Sequence, residues 1–548
     1  MRLITGGRIF TADSASLWAE AVVIDGEHIA FVGSREAATA FAGADAELTD
    51  LRGGIALPGF VDAHAHVVMT GASLLKAQLR TAGDLGEIQR RVVQWAGANP
   101  DSPRVTGISW LFSAVPDGTP TAEMLDAVVP DRPVYLEAND LHSAWVNRAA
   151  LAELGITDDT PDPIGGTIVR DPRTGRATGH LLENALVNYV WPLLGRVSDA
   201  ERDRQLAAAI AAYNETGVTA AVDMALGAEA LDAILRAERN GTLTVRIVGH
   251  WIVHRSDDPA DELAQVAEAA RLALLHRSAR FRIAGIKLIV DGTIDGCTAA
   301  LLEPYTNGTN SGPIWDDESL RRVVVAADAA GLQVACHAIG DAAVRSAIDA
   351  LVLAAEVNGT RERRHRIEHL EYVDEADVPR LAAAGITASM QPVHIDPAIF
   401  DNWAAMLGET RAHRGFAWPE FLAAGTVLAF GTDTPTAPHQ PLHNMYIAAT
   451  RKSPGDASLA PHRPDFALPL TESVVHATAD AAWASFLEGA VGMLRPGLLA
   501  DVILLDRDPF ALGPLALLDT AVVETVVAGG TVYADAARGS SGAEQSSR

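Results

Sequence analysis

Short apolar runs of β-like composition alternate with alanine-rich segments of helical periodicity through most of this sequence. The helical candidates include Asp199–Thr216, Asp261–His276, Asp316–Ala330 and Asp341–Asn358. Eight β-like runs can be placed, and in chain order they are Ile55–Ala63, Val218–Met224, Val245–Trp251, Ala284–Val290, Gln333–His337, His365–His369, Ile386–Gln391 and Val427–Thr432. This alternation is typical of a parallel α/β sheet, and eight units predict a (β/α)8 TIM barrel with its chemistry at the carboxyl ends of the strands.

Both ends of the chain have the pattern of short strands separated by glycine-containing turns. The predicted strands are Leu3–Phe10, Ala19–Ile24, His28–Val32, Glu47–Leu51, Asp501–Leu505, Ala521–Ala528 and Thr531–Tyr533. Neither end has enough strands to bury both faces of a sheet alone, so we expect one composite β-sandwich domain from residues 1–56 and 487–536. Residues 537–548 are rich in small polar residues and are predicted to form a disordered tail.

Residues 70–205 fall between the first and second predicted barrel strands and form too long a stretch for an ordinary loop. They contain a strand-like segment, Pro133–Ala138, and a hairpin-like segment, Gly165–Gly175. We therefore predict that a barrel spanning residues 57–486 has an inserted cap subdomain, residues 70–205, over its mouth.

The charge balance and the cysteine content exclude several classes of function. The formal net charge is −27, from 70 acidic and 43 basic residues, which argues against nucleic acid or an anionic membrane as a partner. The two cysteines, Cys297 and Cys336, cannot form a disulfide framework and suit a reducing cytoplasm. No apolar run reaches the ~18 residues of a transmembrane helix. We expect a cytoplasmic enzyme that acts on a small molecule.

Nitrogen and oxygen ligands stand at or near the ends of several predicted barrel strands. The candidates are His64, His66, Lys287, His337, His369 and Asp433. The first two histidines are two residues apart, which on a strand directs both rings to the same face. Such a ligand set suits Zn²⁺, with Mn²⁺ or Fe²⁺ as alternatives. A metal-bound water and a carboxylate that takes its proton make a hydrolytic nucleophile at neutral pH.

The chain resembles the amidohydrolase superfamily, and within it the amidohydrolase family 3 group that includes N-substituted formamide deformylase-like proteins. The segments on which this resemblance rests are Leu57–His66, His142–Asn147, Gly179–Glu183, Lys287–Gly292, His337–Asp341, Arg366–His369, Ser389–Pro392 and Phe430–Asp433. The resemblance implies a distorted metal-bearing barrel, a composite β-sandwich, a homodimer and hydrolysis of an amide-like bond. One departure is Gly296–Cys297, which stands where the family has a Ser-Arg pair, so any substrate contact of that arginine is in doubt here.

Lys287 lies in the middle of an apolar predicted strand, where an unpaired charge is costly. Carbamylated by CO₂, it would become an anionic ligand bridging two metal ions. Superfamily members resembling dihydropyrimidinase have the modified lysine on a similar strand. The alternative is an unmodified lysine paired with a carboxylate such as Asp291.

Four further residues are candidate substrate contacts. They are His142, Trp145, Glu183 and His394. His142 is also a candidate catalytic group that polarises the substrate carbonyl, whereas the alternative for each residue is a structural role in the cap or a loop. Aromatic residues of the predicted cap would shape an apolar substrate pocket, and they are Trp110, Phe112, Trp145 and Trp191.

The function predicted from these features is hydrolysis of an amide-like C–N bond in an N-substituted formamide, N-acyl compound or related carbamate. Two Zn²⁺ ions would share a hydroxide, and Asp433 would act as general base and then general acid. One alternative is a mononuclear deaminase of a cyclic amidine. Another is a catalytically silent scaffold with the same fold, although that reading predicts lost ligands and none is lost.

Overall fold

The computed structural model describes residues 1–139, 143–163 and 166–536, without the side chains of residues 399–401. The predicted tail, 537–548, lies outside this range. The chain divides into two compact units, which are described separately below. The first unit comprises Met1–Val67 and the chain from Ile210 onward, and the second comprises Val68–Ala209.

An eight-stranded parallel sheet forms the centre of the first unit, and its strands follow one another in chain order. Its strands are β1 (Phe60–Ala65), β2 (Val218–Leu226), β3 (Arg246–Ile252), β4 (Phe281–Ile289), β5 (Gln333–Ala338), β6 (Arg366–His369), β7 (Thr387–Met390) and β8 (Leu428–Phe430). Beyond the strand ends, Asp433 N donates to His64 O (2.7 Å) and His66 N donates to Thr434 O (3.0 Å), which joins the last strand to the first. The predicted (β/α)8 barrel is confirmed.

The first unit also contains helices, several of which follow barrel strands. Their bounds are Arg35–Ala42, Ala228–Arg239, Pro259–Leu275, Asp317–Ala329, Asp341–Asn358, Val378–Ala383, Pro397–Leu407, Glu409–Ala412, Trp418–Ala423, Pro441–Thr450, Leu470–His476, Ala479–Ala484 and Pro509–Leu512, with 3₁₀ turns at Pro392–Ile395, Pro464–Phe466 and Pro514–Asp519. The helix Asp317–Ala329 begins where the Asp316 side chain accepts a hydrogen bond from Ser319 N, a standard N-terminal cap. The predicted helix Asp341–Asn358 matches the observed bounds.

The first predicted barrel strand, Ile55–Ala63, is wrong as a single element. The structure divides it into Ile55–Pro58, which belongs to another sheet, and β1. At Gly59 the chain passes so close to Thr219 that an added Cβ would lie 2.3 Å from its side chain, which only glycine avoids. The apolar run is continuous because both strands are buried, so composition alone does not reveal the break.

Strands from both ends of the chain share one sheet of the first unit. In spatial order its strands are Gly530–Ala534, Val522–Val527, Val502–Leu505, Ile55–Pro58, Arg8–Phe10 and Trp18–Ala19. A second sheet is ordered His28–Gly33, Ala21–Asp25, Arg2–Thr5 and Glu47–Asp50. Side chains of both sheets, including Ile4, Ile9 and Val502, form one buried cluster. The domain boundaries at 56, 57, 486 and 487 stay a prediction.

A six-stranded mixed sheet forms the second unit. In spatial order its strands are Gly166–Arg170, Ala177–Glu183, Ser143–Val146, Val134–Ala138, Val105–Trp110 and Ala77–Gln78. Its helices include Leu85–Ala98, Ala122–Asp126, Arg148–Glu153 and Trp191–Leu194, with a π turn at Leu186–Val190 and 3₁₀ turns at Phe112–Ala114 and Pro116–Gly118. The chain passes between the units within the helices Val67–Leu74 and Asp199–Glu215. The bounds 70–205 and the cap role stay a prediction.

No helix within residues 1–139, 143–163 and 166–536 is both long enough and apolar enough to span a membrane.

A buried ion pair connects the barrel to the sheet of the chain ends. Arg246 on β3 donates two hydrogen bonds to Asp501 (3.0 and 3.1 Å), and both side chains are almost fully buried. Asp501 Oδ1 also accepts from Ala528 N (2.8 Å). Because removal of one partner leaves a buried charge unpaired, we expect Asp501→Ala to lower the free energy of unfolding by about 3–5 kcal/mol. Urea unfolding followed by circular dichroism measures this change.

The matched control is Asp465→Ala, which removes the carboxylate of an exposed pair with Arg463. Its effect should be much smaller, because water replaces the lost partner. Equal losses for the two variants would show that the Arg246–Asp501 pair does not stabilise the junction.

Candidate metal centre

The two histidines of the first predicted ligand pair lie at the carboxyl end of β1. His64 is buried, and it donates from Nδ1 to Glu368 Oε2 (2.7 Å) while its Nε2 lies 3.3 Å from Asp433 Oδ1. His66 follows the strand, and its Nε2 lies 3.1 Å from the same carboxylate oxygen. The structure therefore brings together three of the predicted ligands around one point.

Glu368 orients His64, and the sequence analysis assigned it no role. Since His369 is the ligand candidate and neighbouring residues on a strand face opposite sides, Glu368 would be expected to point away. His369, however, has φ +76°, so the alternation breaks at the end of β6. A carboxylate on Nδ1 fixes the imidazole tautomer and leaves the Nε2 lone pair for a metal ion.

Arg366 holds Glu368 in place inside the barrel. Its guanidinium donates to Glu368 Oε1 (2.5 Å), Ala63 O (2.7 Å) and Ser389 Oγ (2.6 Å). Burial alone would raise the pKa of Glu368, but the charge of Arg366 and the hydrogen bond from His64 lower it well below its ordinary value. Glu368 is consequently a charged acceptor in a fully buried position.

Asp433 lies just after β8 in the left-handed region of backbone space (φ +56°). Its Oδ2 accepts a hydrogen bond from Thr436 Oγ1 (3.1 Å). Burial would raise its pKa, but the charge of His64 and the hydrogen bonds with His64 and His66 lower it well below its ordinary value. The carboxylate is therefore ionised and available both as a ligand and as a proton acceptor.

Asp62 holds the chain around Asp433, although the sequence analysis assigned it no role. Its two carboxylate oxygens accept hydrogen bonds from Thr432 N (2.9 Å) and Thr432 Oγ1 (2.6 Å). Gly431 approaches so closely that an added Cβ would lie 2.3 Å from His64 N. These contacts fix the distance between the first and the last ligand of the set.

His337 and His369 extend the cluster on the adjacent strands. Their ring centroids are 4.4 Å apart, and that of His369 is 4.8 Å from that of His64. Burial lowers the pKa of His337 to about 3, so the ring is neutral at physiological pH. His337 Nε2 lies 3.2 Å from Gly292 O, a contact that fixes the ring when Nε2 donates.

Lys287 is buried on β4, and no hydrogen bond or ion pair of its ammonium group is found among the described residues. The carboxylate of Asp291, its alternative partner, instead accepts from the backbone N–H groups of Ile339, Gly340 and Ala300. Burial lowers the pKa of Lys287, while the charges of Glu368 and Asp433 act in the opposite direction. The alternative pairing of Lys287 with Asp291 is therefore not found in the structure.

The donor atoms fit a divalent metal ion. Three side chains come close enough to share one ion: a ligand atom of His64, one of His369 and one of Asp433 all lie within 4.8 Å of one another. Two ligand atoms ~2.1 Å from a tetrahedral Zn²⁺ ion would be about 3.4 Å apart, close to the nitrogen–oxygen separations of His64 and His66 from Asp433. The buried Nδ1 of His369 has no hydrogen-bond partner among the described residues.

The remaining predicted contacts have different positions. His394 joins the cluster, with Nε2 3.5 Å from Asp433 Oδ2. His142 lies outside the described residues. Trp145 is fully buried in the second unit, where its indole donates to Thr121 O (2.8 Å), so its packing gives no support for substrate contact. Glu183 is exposed at the end of a strand of that unit. The substrate roles of these residues stay predictions.

Comparison with known proteins identifies the family. Residues 47–533 match the model of the amidohydrolase family. The chain is 31% identical over 522 residues to LONG AFTER FAR-RED 3 of Arabidopsis thaliana, covering 92% of this chain and 87% of that protein. It is 26% identical to the N-substituted formamide deformylase of Arthrobacter pascens, covering 96% and 97% of the two chains.

A solved structure shows the same architecture. A metal-dependent hydrolase from Pyrococcus horikoshii superposes with a TM-score of 0.76 at 26% identity, over 94% of this chain and 99% of that chain. The family match over most of the chain, together with this structural similarity, confirms the resemblance predicted from the motifs. The chain belongs to the amidohydrolase family and is a hydrolase of carbon–nitrogen bonds.

Proposed function

We propose that this protein hydrolyses an amide-like C–N bond of a small molecule, with two Zn²⁺ ions at the barrel mouth. The observation that supports this most directly is the position of Asp433, whose Oδ1 lies 3.3 Å from His64 Nε2 and 3.1 Å from His66 Nε2. In this proposal the metal ligands are His64, His66, carbamylated Lys287, His337, His369 and Asp433. Mn²⁺ or Fe²⁺ are alternative ions for the same donors.

The similarity to N-substituted formamide deformylase makes N-substituted formamides the first substrates to test. N-acyl compounds and carbamates present the same carbonyl group next to a nitrogen. The proposal also includes a homodimer in the cytoplasm, on the grounds of family resemblance and low cysteine content. His142, Trp145 and Glu183 remain candidate contacts to this substrate.

A bound divalent ion would polarise the substrate carbonyl and acidify a water molecule. Asp433 accepts the proton of this water as the water oxygen bonds to the carbonyl carbon. It then donates that proton to the nitrogen as the C–N bond breaks. Glu368 and Asp62 keep the site rigid, because each fixes one of the elements that hold His64 and Asp433.

In this proposal Lys287 is a metal ligand in its carbamylated form. The neutral amine is the form that adds to CO₂, with release of a proton, and burial lowers the pKa of Lys287 towards that form. The product is an anion that would serve as one of the metal ligands.

Removal of the metal should abolish hydrolysis. Protein treated with a chelator and then dialysed is expected to lose formate release from an N-substituted formamide, and added Zn²⁺ should restore it, because the water then regains its activating ion. Metal content and activity are measured on the same samples. Full activity in protein shown to be metal-free would contradict the proposal, and release of ammonia from a cyclic amidine would indicate the deaminase alternative.

Asp433→Asn should lower kcat by about 10²–10⁴-fold, because the amide cannot accept the proton of the attacking water. Steady-state hydrolysis of the best substrate in an amide, formamide, carbamate and lactone panel measures the effect, with thermal melting as the check on folding. Asp465→Asn is the control, since Asp465 is an exposed residue paired with Arg463. A folded Asp433→Asn variant with wild-type kcat would show that another group is the base.

Lys287→Met should lose bound metal and activity, because no anion then bridges the metal positions. Wild-type protein grown with carbon-13 bicarbonate should show a carbamate carbon resonance that this variant lacks. Small carboxylic acids added to the variant should restore part of the activity by supplying the missing anion. A variant with unchanged metal content and activity would remove Lys287 from the ligand set.

A further inference from the structure

The two oxygens of the Asp433 carboxylate face different histidines. Oδ1 faces His64 and His66, as described above. Oδ2 faces His394, whose Nε2 lies 3.5 Å away. That separation is too long for a good hydrogen bond. It is nevertheless close to the ~3.4 Å expected between two ligands of one tetrahedral metal ion.

His394 has the same kind of second partner as His64, a buried glutamate. Its Nδ1 lies 3.0 Å from Glu371 Oε1, just as His64 Nδ1 lies 2.7 Å from Glu368 Oε2. Both glutamates are buried. A carboxylate on one ring nitrogen, with the other nitrogen directed at a shared site, is the usual second-sphere arrangement of a metal-bound histidine. The pattern therefore occurs twice around Asp433.

His369 lies between the two halves of this arrangement. Its ring is nearly parallel to that of His394, with centroids 5.8 Å apart and an interplanar angle of 9°. Donor atoms of His369, Glu371 and His394 lie within 4.8 Å of one another, and these residues are buried or mostly buried. Backbone φ values of +76° at His369 and +51° at Leu370 bring His369 and Glu371 to the same region.

We propose that His394 is a metal ligand, held by Glu371, at a second metal position next to Asp433 Oδ2 and His369. The inference rests on the proposed function, because it concerns the same centre. His394 lies outside the ligand set implied by the family resemblance, and the sequence analysis had it as a substrate contact. Two imidazoles with carboxylate oxygens form a donor set that suits Zn²⁺.

This assignment gives both ring nitrogens of His394 a role. An imidazolium paired with both Glu371 and Asp433 would also engage both nitrogens, but it would hold no metal ion, so metal content separates the two. Asp433 would then use one oxygen for each metal position. Glu371 lies on the other side of the His394 ring. Rotation of the ring away from the second metal position would therefore break the hydrogen bond between His394 and Glu371.

Metal content and affinity in full-length variants test the proposal. Zinc is measured by mass spectrometry after dialysis, and its dissociation constant by competition with a chromogenic chelator. His394→Asn should lose about one equivalent of zinc relative to the wild type. Glu371→Gln should retain the ligand but bind that equivalent about 10–100-fold more weakly, the usual effect of losing a second-sphere partner. His443→Asn, a partly buried histidine of the helix Pro441–Thr450, is the matched control and should equal the wild type.

Anomalous diffraction at the zinc edge gives a second measurement that needs no variant. A peak at bonding distance from His394 Nε2 in wild-type crystals supports the proposal, even if His394→Asn fails to fold. Zinc peaks elsewhere with none at His394, or a folded His394→Asn variant with wild-type zinc content and affinity, would overturn it. Those results leave the proposed function intact, whereas a wild-type protein that binds no metal and hydrolyses nothing would refute the proposed function itself.

Discussion

The close contact between the first and last barrel strands is the constraint on which the whole site depends. Asp433 N donates to His64 O and His66 N donates to Thr434 O, so the chain segments that hold these ligands are hydrogen-bonded neighbours. Gly431 permits the approach, since a side chain there would collide with the backbone of His64. Asp62 accepts two further hydrogen bonds from Thr432. Residues more than 360 positions apart in the chain thereby meet with fixed geometry.

Buried charge is the second organising factor. A carboxylate inside a barrel is costly unless it is paired, and Arg366 compensates the charge of Glu368, while Asp433 is in contact with the rings of His64 and His66. Burial raises the pKa of Asp62 to about 6, although hydrogen bonds from Thr432 Oγ1, Thr432 N and His64 N act in the opposite direction. The centre is thus a set of donors kept in place by hydrogen bonds to a rigid barrel, as a preorganised catalytic site requires.

Sequence reasoning predicted the barrel from its periodicity, and it named from residue type several side chains that the structure brings together. The strands β5 and β6 and the helix Asp341–Asn358 lie close to their predicted bounds. His64, His369 and Asp433 were predicted as ligands and do converge. Glu368 and Glu371 were missed because their roles depend on a break in strand alternation at His369, and such backbone angles leave no mark in the periodicity.

The sequence by itself determined the fold class and the family and predicted the candidate ligands, since strand spacing, histidine pairs and motif order are properties of the chain. Only the tertiary structure decided which atoms meet. In the structure the run Ile55–Ala63 is divided between two sheets. Glu368 is hydrogen-bonded to His64 and Glu371 to His394. The two carboxylate oxygens of Asp433 face different histidines. The physical reason is that such contacts depend on backbone dihedral angles and on barrel closure, and both result from interactions between residues that are far apart in the sequence.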